Sequence, residues 1–575
     1  MENKKNKFLK GALVLAGANL IVKIIGAFFK VPLYRLIGPD GNGIFSVAYQ
    51  IYTFMFIIAT AGFPIAVSKM VAESTAKGDD YDAKRVFQTA ALLLGIIGLA
   101  GSAVLYVFAD RLAVLIGNEQ SATCIRVIAP AVFFVSLVSA YRGFFQGKQN
   151  MFPTAGSEVV EAGAKLIIGI IAASLFVGMA VNPALGGEFD FSLNEIKSAK
   201  IQTVYSATGA IFGVTAGTFL ALLLMVIIYV CTSRKNKVVP VRELRSRFSI
   251  MKSLIRIAIP ITIGASVSSL TSLVDLGTIM NRLVINPGVF DGYSHLFADG
   301  TDFAKNMVSE GWKGLELLQQ KANTLYGVYT GQAQTMFNLP LTIVVGLSMS
   351  IVPAISASLA QKRLGDAHSM TASVLRITML FALPCAVGFY VLSEPILHIL
   401  YADADASFLL QKLAFAVTFV ALVSVTNSVL QAYGKVYYPV MNMLVGGVVK
   451  VLMNYTLIPV WGIDAAPVAT TACYAIIALL NLVCMGKLLK IKISLADLFI
   501  KPLCAALVMG AAVIFIHKSF GDVLSGTIGT FVIIGFGAVV YLVAALIVRA
   551  VKKEDVLNMP KGEKLASIMT RFKLL

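Results

Sequence analysis

The sequence predicts an all-α integral membrane protein of about fourteen transmembrane helices, with two pseudo-symmetric six-helix lobes followed by two C-terminal helices. Three observations predict it: the composition, the apolar segments and an internal repeat. Of the 575 residues, 58% are hydrophobic and 14% are charged, and the mean hydropathy is +0.82. A soluble domain is about 45–50% apolar and about 25% charged, so this chain has far more apolar residues than one core can bury and is suited to a lipid environment.

The apolar segments set the predicted span count, because a helix needs about 20 mostly apolar residues to cross a bilayer. The segments lie roughly at 11–37, 44–71, 86–109, 124–146, 153–179, 204–232, 255–284, 322–352, 371–393, 408–433, 437–459, 464–486, 498–517 and 526–549. The first one is too long for the apolar core of a signal peptide, so we expect the protein to retain it as a span.

Basic and acidic loops alternate along the chain, and this alternation predicts its orientation. The basic side includes the N-terminus, the linker from Arg234 to Lys252 and the tail from Lys552 to Lys573. The positive-inside rule places this side, and with it both termini, in the cytoplasm. Because topology accounts for the net charge of +18, we expect no nucleic-acid partner.

The long basic linker has the pattern of an amphipathic helix. Leu244, Phe248, Met251 and Ile255 recur at i, i+4, i+7 and i+11, and basic residues occupy other positions of these turns. This pattern predicts a helix that lies on the anionic inner leaflet, and the basic tail repeats it. A solvated basic linker is the alternative.

Short motifs recur in the two halves of the chain at a nearly constant offset. The segment 64–68 is matched by 353–356, Gly147-Lys148 by Gly434-Lys435, and Lys165 by Lys450. A shared apolar composition would explain matching Leu and Val positions, but it does not explain matching Pro and Lys positions. We therefore interpret the halves as an internal repeat.

The repeat defines the predicted domains. The N-terminal lobe comprises 1–232, the cytoplasmic amphipathic linker 233–254 and the C-terminal lobe 255–490, while 491–575 holds the last two spans and the basic tail. Each repeat has an even number of spans, so the lobes share one orientation. We expect a cleft between them that a rocking motion would expose to each side in turn.

Polar and charged side chains within the apolar segments are the candidate binding residues, because a Lys or Arg at the bilayer centre costs about 2.5–3.5 kcal/mol. The candidates for the cleft are Lys23, Lys30, Glu158, Glu161, Lys165, Asp275, Arg282, Lys450 and Asn454. Two alternatives stay open. A lysine near the end of a span can reach the membrane surface, and Glu161 can form a purely structural pair with Lys165 one turn away.

A surplus of cations in the first span favours an anionic ligand. A cationic, water-accessible cleft suits an anion with several oxygens, such as a pyrophosphate. An anion that leaves a negative cell interior gains about 2.3 kcal/mol per charge per 100 mV, so the membrane potential could drive its transport. Alternatively, Asp275 could bind a monovalent coupling cation.

The sequence contains no pattern typical of catalysis, metal binding or nucleotide binding. It has neither HExxH nor GxxxxGK[ST], and its six cysteines form no CxxC. We therefore expect no enzyme activity, no catalytic or metal site and no cofactor. A membrane glycosyltransferase would need several carboxylates in its first outer loop, and the segment 38–43 offers only Asp40.

Several motifs together resemble one bacterial family. They are Lys23-Ile24-Ile25-Gly26, Gly62-Phe63-Pro64-Ile65-Ala66-Val67-Ser68-Lys69, Pro153-Thr154-Ala155 with Glu158, Glu161 and Lys165, and Asn454-Tyr455 with Pro459 and Gly462. The combination resembles the polysaccharide exporters of the MOP superfamily. Within that superfamily, the closest branch looks like the stage V sporulation protein B and MurJ-type lipid II flippases.

This resemblance implies a flippase in the bacterial plasma membrane. Its cargo would be a polyprenyl-pyrophosphate-linked saccharide, either lipid II or a related lipid-linked oligosaccharide, carried from the inner to the outer leaflet by alternating access through a cationic central cavity. The cargo and membrane lipids would be the partners, and we expect a monomer. In MurJ-type proteins the last two spans form a groove for the lipid tail, which suits the two extra spans here.

A cation-coupled multidrug exporter of the same superfamily is the alternative function. Such exporters usually have twelve spans and a less cationic cleft, so the last two spans and the lysines favour the flippase. The motifs also differ from the MurJ-type pattern: Phe29 stands at its second basic position, and Lys165 stands where arginine is frequent. The resemblance therefore leaves the identity of the saccharide open.

Overall fold

The computed structural model describes residues 2–181, 198–233, 245–299, 311–491, 494–520 and 526–552, several residues between 301 and 308, and residue 555. Every regular element within those ranges is helical and none is a β-strand, so the predicted all-α fold is confirmed. The amphipathic pattern of the tail and residues 234–244 of the linker lie outside the described residues. By its internal contacts the chain forms two compact units, an N-terminal unit of Met1–Gly331 and a C-terminal unit of Gln332–Leu575.

The N-terminal unit contains the helices α1 to α9. Their bounds are α1 Glu2–Thr60, α2 Phe63–Ala76, α3 Asp80–Val107, α4 Ala109–Ile116, α5 Ala122–Gly147, α6 Phe152–Val181, α7 Ser198–Ser233, α8 Arg247–Leu283 and α9 Gly314–Val328. A 3₁₀ segment at Pro287–Phe297 lies between α8 and α9, and a π-helical turn at Tyr329–Ala333 follows α9.

The C-terminal unit contains the helices α10 to α16. Their bounds are α10 Gln334–Ala360, α11 Leu364–Tyr401, α12 Ser407–Ala432, α13 Tyr437–Trp461, α14 Ala465–Leu489, α15 Lys501–Phe520 and α16 Gly526–Ile547. A π-helical turn at Ala496–Ile500 leads directly into α15.

The helices have the length and composition of membrane spans. Ten stretches of the described chain are long and apolar enough to cross a bilayer. Two of them, Gly17–Ala76 with 60 residues and Tyr437–Leu489 with 53 residues, are long enough for two crossings each. The protein is therefore a multi-pass membrane protein, and its helices are consistent with the predicted span count.

A kink at Gly38 divides α1 into two spans. Gly38 has a φ of +68°, which glycine adopts readily because it has no Cβ. The kink separates the apolar segments predicted at 11–37 and 44–71, which lie on either side of it. The rings of Phe29 and Phe45, which lie on either side of the kink, have centroids 6.3 Å apart, so the second part of α1 runs back alongside the first.

Polar contacts fix α9 to the corner of α1 that follows this kink. Asn42 Nδ2 donates a hydrogen bond to the carbonyl oxygen of Gly327 at 2.8 Å, and Asn323 Nδ2 donates to that of Asp40 at 3.0 Å. A Cβ added at Gly327 would lie 1.9 Å from the carbonyl oxygen of Pro39, so the helices approach closely only because this residue is glycine. These contacts group α9 with the N-terminal unit, whereas the repeat assigns it to the second lobe.

Glycines also bring α6 and α7 into close contact. Gly209, Gly213 and Gly217 recur at every fourth position of α7, and a Cβ added at Gly213 would lie 2.3 Å from the Cα atom of Gly169 in α6. Small residues at this spacing let membrane helices pack closely, which matters because lipid supplies no hydrophobic drive for their association. The contact positions α6, which carries Glu158, Glu161 and Lys165.

We expect Gly213→Ala to destabilise the protein by about 1–3 kcal/mol, because the added methyl group overpacks the contact between α6 and α7. Gly163→Ala in α6 is the matched control, since a Cβ there would meet nothing within 4 Å. The control should be neutral or stabilising, because alanine is the better helix former. Thermal unfolding in detergent measures both variants, and equal midpoints would contradict the packing argument.

The last two spans pack on α11 within the C-terminal unit. The Tyr541 hydroxyl of α16 donates a hydrogen bond to the carbonyl oxygen of Leu380 in α11 at 2.7 Å. Arg376 of α11 pairs with Asp555, which follows α16, at 2.6 Å, and both side chains are at most 10% exposed. Burying either charged side chain without its partner would cost much free energy. The ion pair therefore links the segment that follows α16 to α11.

Candidate functional site

Two lysines and a tyrosine meet where the first and second parts of α1 approach α6. The Lys165 ammonium group donates a hydrogen bond to the hydroxyl oxygen of Tyr49 at 2.7 Å. Lys30 lies close enough to interact electrostatically with both residues. Among the residues that the structure describes, no carboxylate lies within ion-pair distance of Lys30 or Lys165. Two lysine side chains therefore lie among apolar helices without a carboxylate partner among the described residues.

Aromatic rings line one side of the Lys165 ammonium group. The Nζ atom lies 4.0 Å from the ring centroid of Tyr49 and 5.2 Å from that of Phe29. The Tyr49 ring is stacked on that of Phe45 with centroids 5.4 Å apart. Contact with ring faces stabilises a cation without neutralising its charge. These aromatic contacts therefore hold the ammonium group in place and leave its positive charge available to an anion.

Arg142 neutralises one of the two nearby carboxylates. Its Nη2 atom lies 2.9 Å from Glu161 Oε2, and its Nε atom donates to Ser157 Oγ at 3.0 Å. The Ser157 hydroxyl donates in turn to the carbonyl oxygen of Thr154 at 2.8 Å. The partner of Glu161 is therefore Arg142 of α5, and the alternative structural pair of Glu161 with Lys165 does not form.

Two buried oxygens beside this pair make no hydrogen bond to any described residue. They are Oε2 of Glu158 and the hydroxyl oxygen of Tyr52. A buried polar atom without a partner costs free energy, so each such atom in a folded protein calls for an explanation. A ligand or a coupling ion that reaches the cluster would give both atoms a partner.

The cluster carries a net positive charge. We define the cationic cluster as Lys30, Tyr49, Arg142, Glu158, Glu161 and Lys165, in which three cations face two carboxylates. Ammonium and guanidinium groups bind phosphate oxygens through short charge-assisted hydrogen bonds. The arrangement can therefore hold an oxygen-rich anion through Lys30 and Lys165 while Arg142 stays paired.

The other predicted residues of the N-terminal unit lie apart from these contacts. Lys23 is exposed on the first part of α1 and has no described partner. Asp275 is buried on α8, where it interacts electrostatically with Tyr326 of α9. Arg282 is half-buried in the last turn of α8. Of the predicted residues in this unit, Lys30, Glu158, Glu161 and Lys165 form one cluster.

The remaining two predicted residues belong to the C-terminal unit. Lys450 is 3% exposed and Asn454 is fully buried, one turn apart on α13. Lys450 occupies the position that the repeat matches with Lys165. Both halves of the repeat therefore carry a lysine in the interior of an apolar helix.

A chain of asparagines crosses the C-terminal unit and was missed by the sequence analysis. Asn442 of α13 donates to Asn481 of α14 at 2.8 Å, and Asn481 donates to Asn427 of α12 at 2.8 Å. Interhelical amide contacts of this kind hold membrane helices together. Spacing along one helix cannot reveal them, because each partner comes from a different helix.

The sequence analysis also missed Tyr49, Tyr52 and the role of Arg142. A signal for the tyrosines exists, because Phe45, Tyr49, Tyr52 and Phe56 recur at i, i+4, i+7 and i+11 and form one aromatic stripe on α1. Consecutive rings of this stripe lie at most 6.1 Å apart. Arg142 was not among the predicted site residues, although its side chain is buried.

Metal binding has no visible support in the part of the chain that the structure describes. No group of three or more His, Cys, Asp and Glu side chains there could hold a metal ion.

Family models match both halves of the chain. The family described as polysaccharide biosynthesis protein matches residues 8–187, and the family described as lipid II flippase MurJ matches residues 328–537. Two curated proteins of Bacillus subtilis (strain 168) are similar along most of their length. Stage V sporulation protein B is 25% identical, covering 97% of this chain and 98% of the relative, and lipid II flippase MurJ is 24% identical, covering 82% and 80%.

Solved structures share the fold. A lipid II flippase MurJ in an inward closed conformation superposes with a TM-score of 0.66 at 14% identity, covering 93% of this chain and 98% of that one. An inward-facing multidrug resistance transporter of the MATE family gives a TM-score of 0.60 at 12% identity, covering 83% and 99%. Both halves of the chain therefore resemble the polysaccharide biosynthesis and MurJ flippase families in sequence, and the chain shares the fold of MurJ and MATE transporters.

Proposed function

We propose that the protein is a flippase that moves a polyprenyl-pyrophosphate-linked saccharide from the inner to the outer leaflet by alternating access. The observation that carries this proposal is the pair Lys30 and Lys165, which have no carboxylate partner among the described residues. Such charges inside a membrane cost much free energy, so their presence calls for a functional explanation. A diphosphate gives both of them a partner.

The geometry supports specific roles for the cluster residues. Lys165 donates to a diphosphate oxygen, and Tyr49 and Phe29 hold its ammonium group in place through the contacts described above. Lys30 supplies a second donor from α1. Arg142 positions Glu161 by pairing with it, which keeps this carboxylate away from Lys165, one turn further along α6.

The cargo that fits best is lipid II or a related lipid-linked oligosaccharide. Both B. subtilis relatives align over most of their length, and one of them is named a lipid II flippase. The chain would act as a monomer in the bacterial plasma membrane, with both termini in the cytoplasm. The membrane potential would drive export, since each negative charge that moves outward gains about 2.3 kcal/mol per 100 mV.

A cation-coupled multidrug exporter is the second candidate. Two observations favour it: the shared fold with a MATE family transporter, and the Glu158 oxygen, which is buried without a described hydrogen-bond partner and could hold a proton or a monovalent cation. A drug cation would be repelled by Lys30 and Lys165, and for this reason we place the candidate second.

Depletion of the protein in its host should cause one undecaprenyl-pyrophosphate-linked saccharide to accumulate, because its flipping would become limiting. Mass spectrometry of the lipid extract identifies the intermediate and hence the cargo. Purified protein in liposomes should then move that lipid to the opposite leaflet, faster with a potential that is negative on the side of origin. If no intermediate accumulates and the depleted cells retain cationic dyes, the exporter is correct instead.

A further inference from the structure

A cationic pocket lies at the beginning of α3 and shares no residue with the cationic cluster. Its volume is about 170 Å³, and it is lined by Tyr81, Lys84, Arg85, Gln88 and Arg247. The four residues from α3 follow one another at i, i+3, i+4 and i+7, so they share one face of the helix. Arg247 comes from the first turn of α8. Three cations from two helices thus converge on one small cavity.

Two acidic residues near this pocket already form ion pairs with cations outside it, although Asp82 also interacts electrostatically with Arg85. Asp82 forms an ion pair with Arg245, whose Nε atom lies 3.1 Å from Asp82 Oδ1, and Asp80 pairs with Lys148 at 3.1 Å. The three pocket cations form no ion pair with any carboxylate that the structure describes. The pocket therefore keeps its positive charge.

One residue that lines the pocket has a buried donor without a described hydrogen-bond partner. The Nε atom of Arg85 is inaccessible to solvent and makes no hydrogen bond to a described residue. The Tyr81 hydroxyl and the Gln88 amide offer further donors on the same face of α3. A guanidinium group, an ammonium group and neutral donors in one cavity form a set that matches the oxygens of a phosphate group.

An apolar stripe continues from the pocket along the same face of α3. Leu92, Ile96 and Leu99 follow Gln88 at i+4, i+8 and i+11, and their exposed fractions are 56%, 60% and 60%. On α8, Ile259 and Ile263 are likewise 48% and 56% exposed. A ligand that fits both features has an anionic head and apolar chains, whereas a soluble anion would use only the pocket.

We propose that this pocket binds the phosphate group of an anionic phospholipid of the inner leaflet, with its acyl chains along the stripe of Leu92, Ile96 and Leu99. The basic residues around the beginning of α3, Lys77, Lys84 and Arg85, lie on the side that the positive-inside rule assigns to the cytoplasm, where anionic lipids attract basic segments. The site shares no residue with the cationic cluster, and the proposal does not depend on which cargo the protein carries.

Titration of the purified full-length protein with phosphatidylglycerol, monitored by native mass spectrometry, tests the site. We expect the double substitution R85Q/R247Q to weaken the tightest phosphatidylglycerol binding by about tenfold or more, because two charge-assisted contacts are lost. Lys252→Gln is the matched control, since Lys252 is an exposed cation of α8 outside the pocket. Arg247→Gln alone is a second variant, at an exposed position where folding is not at risk.

Parallel titrations with phosphatidylcholine and with inorganic phosphate distinguish the possible ligands. Phosphatidylcholine should bind more weakly than phosphatidylglycerol, and inorganic phosphate should displace phosphatidylglycerol poorly because it has no acyl chains. Equal phosphatidylglycerol binding by wild type and R85Q/R247Q would overturn the proposal. So would equal affinity for phosphatidylcholine, or a phosphate affinity as high as that for phosphatidylglycerol, which would indicate a site for soluble anions.

Discussion

Replacing Lys165 by Gln should lower the rate of cargo flipping by about ten- to a hundredfold, because one charge-assisted hydrogen bond to a diphosphate is worth about 1.5–3 kcal/mol. Glutamine removes the charge and keeps a polar, hydrogen-bonding side chain that is one bond shorter. The measurement is flipping of the accumulated lipid-linked saccharide in liposomes that contain equal amounts of each protein. Lys30→Gln should act in the same direction.

Two further variants separate charge from hydrogen bonding at this position. Lys165→Arg retains the charge and should keep most of the activity, while Tyr49→Phe removes only the 2.7 Å hydrogen bond and retains the aromatic face. We expect Tyr49→Phe to cost less than Lys165→Gln. If Lys165→Gln flips the cargo as fast as wild type, the cationic cluster is not the binding site.

Hydropathy is why the fold class could be predicted from the sequence. Lipid forces every backbone polar group to be satisfied internally, so long apolar segments can only be helices, and the helices of the structure cover those segments. The attachment of α9 to the corner of α1 was not predictable in the same way. It depends on Asn42 and Asn323 contacting carbonyl groups of a distant segment, and both residues lie at or beyond the ends of predicted apolar segments, where polar residues are expected.

For the candidate site, too, the residues could be predicted from the sequence but their contacts could not. Lys30, Glu158, Glu161 and Lys165 were predicted because charges in apolar segments are visible in the sequence. Their pairing was not, since spacing along α6 favours Glu161 with Lys165, whereas helix packing brings Arg142 from α5 to within 2.9 Å of Glu161. Spacing along α6 cannot predict that a residue of another helix, Arg142, pairs with Glu161 instead of Lys165.

Replacing Arg142 by Met should reduce both stability and transport. Breaking a buried ion pair by removing one partner costs about 3–5 kcal/mol, and the side chains of this pair are 8% and 21% exposed. The released Glu161 carboxylate would then lie one turn from Lys165 and could pair with it. Because that pair removes the charge on which diphosphate binding depends, we expect about tenfold slower flipping.

A double substitution distinguishes this positioning role from a purely structural one. In R142M/E161Q the carboxylate that could capture Lys165 is gone, so flipping should recover toward the wild-type rate, and the midpoint of thermal unfolding should recover with it. Glu161→Gln alone should cost less than Arg142→Met, because Arg142 would keep its contact to Ser157 and the charge of Lys165 would stay uncompensated. Recovery of stability without recovery of flipping would mean that Arg142 itself contacts the cargo. Recovery of both would show that the ion pair exists to keep a carboxylate away from Lys165, which is the arrangement an anion-binding site needs inside a membrane.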